Sequence, residues 1–286
     1  MGRVEGKVAF ISGAARGQGR SHAVRLAEEG ADIIAVDLCR DIASNTYPLG
    51  TSEDLEETVR LVEAHGRKIV ALEADVREAA QLKAAVDQGL ETFGRLDVVV
   101  ANAGIAPMFG NSGVQGWLDV IGVNLMGVLN TIHVALPHLK EGASIIATGS
   151  AAAFMPTDIV DNPSADPGGS GYTVAKIGLS QYIHELARVL AGQMIRANVV
   201  HPTNCNTGML QSEAMYKAFR PDLEHPTRED ALPAFPAQQA MPIPWVEPVD
   251  ISNAVVYLAS DESRYVTGMQ MRVDAGSYLK FNSFKK

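Results

Sequence analysis

The stretch Lys7-Val8-Ala9-Phe10-Ile11-Ser12-Gly13-Ala14-Ala15-Arg16-Gly17-Gln18-Gly19-Arg20 decides how the rest of the chain is read. Val8 to Ile11 is a short apolar run suited to a strand buried on both faces. A glycine-rich turn follows at once, and then a helix-like segment from Arg20 to Glu29 stopped by Gly30. Strand, glycine turn and helix in that order is the context a dinucleotide-phosphate loop requires. The glycines allow a tight turn and let backbone N–H groups at a helix N-terminus approach a pyrophosphate. An isolated glycine turn would be weak; its place between a buried strand and a helix makes it strong.

The alternation continues outward from this unit. Asp32 to Val36 reads as a second buried strand ending on Asp37. A carboxylate there can hydrogen-bond both ribose hydroxyls and repel a 2′-phosphate, which favours NAD over NADP. A solvated strand-end aspartate is the plainer alternative, and nearby Arg40 is a cation that a 2′-phosphate could use. Leu38 to Ser52 is too long for an ordinary strand-to-helix link and reads as an inserted loop beside the adenosine end. Thr51-Ser52-Glu53-Asp54 then caps a helix with an inward stripe of Leu55, Val59 and Val62. Further strands are expected at Lys68–Glu73, Leu96–Ala101, Ala143–Thr148 and Ile195–Val200, and further helices at Glu78–Phe93 and Trp117–Leu139. Asn124 falls inside the last of these, where a buried Asn has a local task or bends the helix. The expected fold is α/β: a doubly wound, mostly parallel sheet with helices on both faces, formed by residues 1–286 as one domain. Ligands in such sheets bind beyond the carboxyl ends of the strands. Gly13, Asp37, Asp75, Asn102 and Ser150 all follow strands and so converge on that rim.

Composition narrows the rest. The chain has 286 residues, 47% of them apolar, enough for one large core. A net charge of -9 leaves no basic face for a nucleic acid. Cys39 and Cys205 cannot form a disulfide framework, which suits a reducing cytosol, and no apolar run approaches the roughly 18 residues of a membrane span. A soluble, cytoplasmic protein is expected. The seven histidines show no metal-ligand spacing, so no metal is expected. Ser150 lacks a Gly-x-Ser-x-Gly elbow, which argues against a serine hydrolase.

Tyr172 and Lys176 lie four residues apart in Gly171-Tyr172-Thr173-Val174-Ala175-Lys176. On a helix they share a face, and the ammonium favours the phenolate. A free tyrosine titrates near pH ~10, so acid/base work at neutrality needs a downward shift of roughly 3 units, about 4 kcal/mol. A lysine, an oxidised nicotinamide and a low-dielectric site are the expected sources.

In order, Ser12-Gly-x-x-x-Gly-x-Gly19, Asn102-Ala-Gly104, Asn124, Ser150 and Tyr172-x-x-x-Lys176 resemble the short-chain dehydrogenase/reductases over essentially the whole chain. The resemblance implies that Tyr172 exchanges a proton with the substrate oxygen and that Lys176 lowers the phenol's pKa and holds the nicotinamide ribose. It implies that Ser150 hydrogen-bonds the substrate oxygen and that Asn124 positions a water. It also implies cofactor contacts from the glycine turn (Gly13, Arg16, Gly17, Gln18, Gly19). Others are implied from the adenosine side (Asp37, Leu38, Asp75, Val76) and from the nicotinamide side (Asn102, Ala103, Gly104, Tyr172, Lys176, Thr207). Ser150 and Tyr172 are 22 positions apart, longer than the family's usual gap, with the excess in an inserted loop at 155–169. His201-Pro202-Thr203-Asn204 replaces the commoner Pro-Gly. These departures resemble the mycofactocin-associated, carveol dehydrogenase-like subgroup. That likeness implies a tightly held NAD re-oxidised in place by a peptide-derived redox carrier, and the wider family implies a homotetramer.

Gly208 to Val246 is rich in proline and in large apolar residues: Met209, Leu210, Met215, Phe219, Phe235 and Trp245. Beside the nicotinamide end it reads as a substrate lid over an adaptable apolar pocket, which points to a hydrophobic secondary alcohol or ketone. An ordinary helical excursion packed on the core is the plainer alternative. Cys205 is expected to pack. Two rivals stand beside the main reading: a ketoreductase with freely exchanging NAD(P), and a non-catalytic dinucleotide sensor on the same fold.

Overall fold

The computed structural model describes residues 2–108, 113–155 and 166–281. Seven parallel strands form one sheet in the order β3-β2-β1-β4-β5-β6-β7. They are β1 (Val8–Ser12), β2 (Asp32–Asp37), β3 (Ile69–Glu73), β4 (Val98–Ala101), β5 (Ser144–Thr148), β6 (Arg196–Pro202) and β7 (Gln270–Val273). The chain leaves β1 through helix α1 (Gly17–Glu28) and crosses between later strands by α2 (Ser52–Glu63), α3 (Ala79–Phe93), α4 (Gly113–Val120), α5 (Gly127–Ala135) and α6 (Pro167–Leu190). Beyond β6 come the short helices α7 (Glu213–Phe219) and α8 (Arg228–Ala231), then α9 (Pro248–Ala259) and the final turn α10 (Ser277–Phe281).

The strands are apolar in continuous runs because both sheet faces are covered. Phe10, Ile34, Val36, Val99 and Ile145 join one buried cluster with residues of α3, α5 and α6. Their neighbours Ala9, Ile11, Ile33, Ala35, Val98, Val100 and Ile146 join a second with residues of α1, α2 and α9. Alternation along each strand thus feeds both layers. Helix α2 starts where its cap was expected, with a reciprocal Thr51–Asp54 capping box. Helix α1 begins at Gly17, earlier than the expected Arg20, because the last residues of the turn already join its first turn, with Gly17 itself at φ +57°.

The run Gly113–His138 corrects one expectation. It is 26 residues long and, by length and composition, apolar enough to cross a membrane. No uninterrupted apolar stretch announces this, since glycines and Asn124, Asn130 and Thr131 interrupt it. In the fold it is a core helix packed against α3 and α6, not a free span. Its middle, Ile121–Met126, is a π-helical turn around Asn124. Such a bulge interrupts the regular ladder at a site with a side-chain task.

Segment 208–246 carries a small core of its own, made by Leu210, Ala231 and Phe235 with Met215, Tyr216, Phe219 and Trp245 around them. Phe219 and Trp245 both meet Phe235 edge-on, at 4.7 and 5.9 Å between ring centroids. Most of the expected inserted loop at 155–169, namely 156–165, lies outside the described residues, as do 282–286.

Candidate active site

The carboxyl edge of the sheet builds the site. Gly13 (φ +70°) and Gly17 (φ +57°) adopt left-handed backbone that favours glycine. A Cβ on Gly13 would lie 2.8 Å from the Ala103 Cα, and one on Gly19 would lie 1.9 Å from the Gly13 carbonyl oxygen. The turn is therefore as narrow as the chain permits. It is tied to the next strand end: the Asn102 and Ala103 N–H groups donate to Ser12 Oγ at 3.1 and 3.3 Å. The Asn102 amide donates to the Ser12 and Gly13 carbonyls at 3.2 and 3.3 Å, and Thr148 Oγ1 donates to Asn102 Oδ1 at 3.1 Å. Among the described residues no side chain caps the start of α1, which leaves its first amides available to an anion.

One cleft runs along this turn, lined by Gly13, Arg16, Gly17, Gln18, Asp37, Leu38, Asp75, Val76, Asn102, Ala103, Gly104 and Thr207. Of the expected cofactor contacts, Tyr172 and Lys176 face the second cavity described below, and Gly19 lines neither space. Its part is to pack against Gly13, because any side chain would fill that contact. Asp37 accepts from the Ala15 N–H (2.9 Å) and the Cys39 N–H (3.3 Å). Burial pushes its pKa up, and the amide bonds oppose this. Burial also works against ionised Asp75, but the bidentate Arg77 guanidinium, 2.6 Å away, holds its pKa below the usual range. Arg40, the cation that could have served a 2′-phosphate, is exposed and leans towards Asp75 at 3.9 Å.

The inserted loop 38–52 closes one side of the cleft, contributing Leu38, Ile42, Tyr47, Leu49 and Gly50. Tyr47 is buried, and its hydroxyl oxygen accepts from the Ala106 N–H at 3.1 Å. Burial drives its pKa up, so it stays a neutral phenol. Ser44 Oγ donates to Asp119 at 2.7 Å, Leu49 N–H donates to Asp41 at 2.7 Å, and the Arg16 guanidinium donates to the Pro48 carbonyl. Sequence reasoning missed Tyr47, since a lone aromatic in an aperiodic loop carries no spacing signal.

At the other end, α6 opens at Pro167, five residues before Tyr172. Gly168 and Gly171 allow close packing: their Cβ positions would lie 2.0 Å from the Pro107 carbonyl oxygen and 3.0 Å from the Trp117 ring. Tyr172 and Lys176 follow on one face, with Lys176 Nζ 5.6 Å from the phenol ring centre. Lys176 donates to the Thr148 carbonyl at 2.6 Å, and burial pushes its pKa down to about 8. Burial raises the Tyr172 phenol, and its hydrogen bond with Ser150 opposes that rise. This corrects the expected electrostatics: desolvation penalises the phenolate, so the low-dielectric site works against the phenol's acidity rather than for it. Ser150 Oγ also accepts from the Ala152 N–H at 3.1 Å.

Asn124 stands apart from these three. Its amide is used in both directions on Ile105, accepting from the N–H (2.9 Å) and donating to the carbonyl (2.8 Å). It holds the segment after Asn102-Ala103-Gly104 in place.

Ser150, Tyr172 and Lys176 face a second cavity of about 750 Å³, which also reaches Met108, Met155, Met209, Leu210, Met215 and Phe219. Phe235 and Trp245, expected to line it, instead pack together in the small core of segment 208–246. Gln18, Asn102, Gly104, Thr207 and Met209 border both spaces, so the cleft and the cavity are contiguous. Among the described residues, Gln18 Oε1 and Thr203 Oγ1 are buried there without hydrogen-bond partners, acceptor positions open to a bound group. The narrow glycine turn, the uncapped start of α1 and these orphaned acceptors fit a dinucleotide. Cys205 is buried, and burial pushes its thiol up to about 12, as befits a packing residue.

The enoyl-(acyl carrier protein) reductase family model matches residues 13–278. A short-chain type dehydrogenase/reductase of Mycolicibacterium smegmatis is 53% identical, over 98% of this chain and 99% of its own length. The (-)-trans-carveol dehydrogenase of Rhodococcus erythropolis is 48% identical, over 98% of this chain and all of its own. The crystal structure of carveol dehydrogenase from Mycobacterium avium in complex with NAD superposes with a TM-score of 0.90 at 47% identity, covering 98% of this chain and 100% of that one. With its seven-stranded parallel sheet, glycine turn and full-length relatives, the chain belongs to the short-chain dehydrogenase/reductase family.

Proposed function

We propose that this NAD-dependent oxidoreductase interconverts a hydrophobic secondary alcohol, of the cyclic carveol type, and its ketone. The carrying observation is the meeting of Ser150, Tyr172 and Lys176 on the wall of an apolar cavity contiguous with the glycine-turn cleft. In this reading Tyr172 takes the hydroxyl proton during oxidation and returns it during reduction. Ser150 fixes the substrate oxygen beside it. Lys176, held by Thr148, supplies positive charge to the phenolate and binds the cofactor ribose. Asn124 secures the neighbouring wall through Ile105. Bound NAD supplies the hydride chemistry. The glycine turn, Arg16, Gln18 and Thr207 hold its phosphates and nicotinamide side. Asp37, Leu38, Asp75 and Val76 hold its adenosine side, with Asp37 selecting NAD over NADP by charge. Segment 208–246 acts as the lid, its methionines adapting to the substrate.

The NAD is tightly held and re-oxidised in place by a peptide-derived, mycofactocin-type carrier. Support comes from loop 38–52, which is fastened over the cleft by Tyr47, Ser44 and Arg16. The protein works as a cytoplasmic homotetramer; exposed Val114, Leu118 and Met126, with Ile177 on the adjoining α6, supply apolar surface for assembly. The test is to denature the purified protein and measure released NAD, then to add carveol to the native protein. One stoichiometric reduction of bound NAD is expected. Steady turnover dependent on added NAD would instead favour a ketoreductase with freely exchanging cofactor, and no reduction at all would favour a dinucleotide sensor.

A further inference from the structure

The β5–β6 ladder ends at the pair Thr148↔Val200, and His201 pairs onward with Arg272 of β7. Ser150 therefore lies past the last ladder pair, where the sheet no longer holds it. Thr148 is fixed through its carbonyl by Lys176 (2.6 Å), and Gly149 N–H donates to the Val200 carbonyl (2.7 Å). For Ser150 the His201 side chain takes over. Its Nδ1 lies 3.1 Å from the Ser150 nitrogen and 3.0 Å from the Ser150 carbonyl oxygen. Its Nε2 lies 2.7 Å from Gln270 Oε1, while Gln270 Nε2 donates to the Ser180 carbonyl at 3.3 Å. That orientation of the Gln270 amide puts the ring proton on Nε2 and leaves Nδ1 to accept from the Ser150 N–H.

The approach is close by construction. A Cβ on Gly149 would lie 2.4 Å from His201 Nδ1, so a side chain at 149 would push the ring away. The ring is fully buried, and Phe154 packs on it at 4.7 Å between centroids. Burial keeps its pKa below the ordinary imidazole value, reinforced by the charges of Lys176 and Arg272 and opposed by two acceptors beside the ring, Gln270 Oε1 and the Ser150 carbonyl oxygen. Packing alone would be satisfied by leucine; an acceptor aimed at the Ser150 amide would not be needed.

We infer that His201 is the positioning residue for Ser150, setting through the Ser150 backbone where the hydroxyl meets Tyr172 and the substrate oxygen. The inference rests on the catalytic reading of Ser150 given above. The experiment compares single-turnover reduction of bound NAD by carveol in His201→Leu, His201→Asn, Gln270→Leu and Ser150→Ala, each corrected for NAD content. His201→Leu is expected to lose about 100-fold in rate at saturating carveol, the scale of a roughly 1 Å misplacement of a catalytic group, with NAD retained and half-saturation little changed. His201→Asn, which keeps an acceptor near the Nδ1 position, should recover to within about tenfold of the unaltered protein, and Gln270→Leu should lose about tenfold. An unchanged rate in His201→Leu beside a slow Ser150→Ala would overturn the inference and leave the reading of Ser150 standing. An unchanged rate in Ser150→Ala would overturn both. Should His201→Leu not fold, Gln270→Leu decides: an unaltered rate there rejects the inference.

Discussion

The two ends of the site are built from different materials. The glycine-turn cleft is made largely of backbone: glycines without room for a Cβ, amides directed at Asp37 and Ser12, and a loop fastened by Tyr47 to Ala106. The second cavity is walled by flexible side chains, with Met108, Met155, Met209 and Met215 around it and segment 208–246, which packs on its own small core, beside it. Backbone hydrogen bonds demand one geometry, whereas methionines repack around many shapes at little cost. The contrast suits a protein that keeps one ligand and changes the other. Between them stand Ser150, Tyr172 and Lys176, rigidly placed but facing the adaptable side.

The contrast can be broken at three strengths. Tyr172→Phe removes the proposed proton-transfer group and leaves the cofactor cleft intact. Single-turnover oxidation of carveol should fall by about 10³-fold, within the usual range for a general acid/base, while the NAD released on denaturation stays unchanged. A near-normal rate would sink the assignment of Tyr172. Tyr47→Phe leaves the buried Ala106 N–H without an acceptor, a cost of roughly 1–3 kcal/mol. Exchange of bound NAD for isotopically labelled NAD should accelerate about tenfold with the chemical step preserved; unchanged exchange would mean that loop 38–52 does not retain the cofactor. Met215→Ala, on the adaptable wall, should raise the half-saturating carveol concentration only about three- to tenfold with the maximal rate kept. A collapse of the maximal rate would show that the lid is as exacting as the glycine turn.

Much of this was legible in order along the chain. The first six strands fall within about two residues of their expected bounds, while β7 carried no expected range, and the Thr51 cap and the glycine turn are local features whose signals lie within a few positions. Tyr172 and Lys176 were readable because helical periodicity converts a spacing of four into a shared face. The electrostatics of that pair were not: whether a phenol is acidified or suppressed depends on how deeply it is buried and on Ser150, a residue distant in sequence. Phe235 and Trp245 were read as pocket wall because their composition suits one, yet which side of a short helix faces a cavity is settled only by what else packs there. The apolar character of 113–138 was hidden by its interrupting polar residues.

By itself, then, the amino-acid order determined the parallel sheet, the phosphate-type turn at its first crossover, the acidic strand end at Asp37 and the paired Tyr172 and Lys176. Each depends on residues close together in the chain, where a backbone period or a missing side chain leaves a readable trace. Only the folded arrangement decided that Tyr47 closes onto Ala106, 59 positions away, and that His201 reaches back 51 positions to Ser150. Such contacts join elements brought together by sheet order, and no local spacing records them, because the energy that selects them exists only after the sheet has formed.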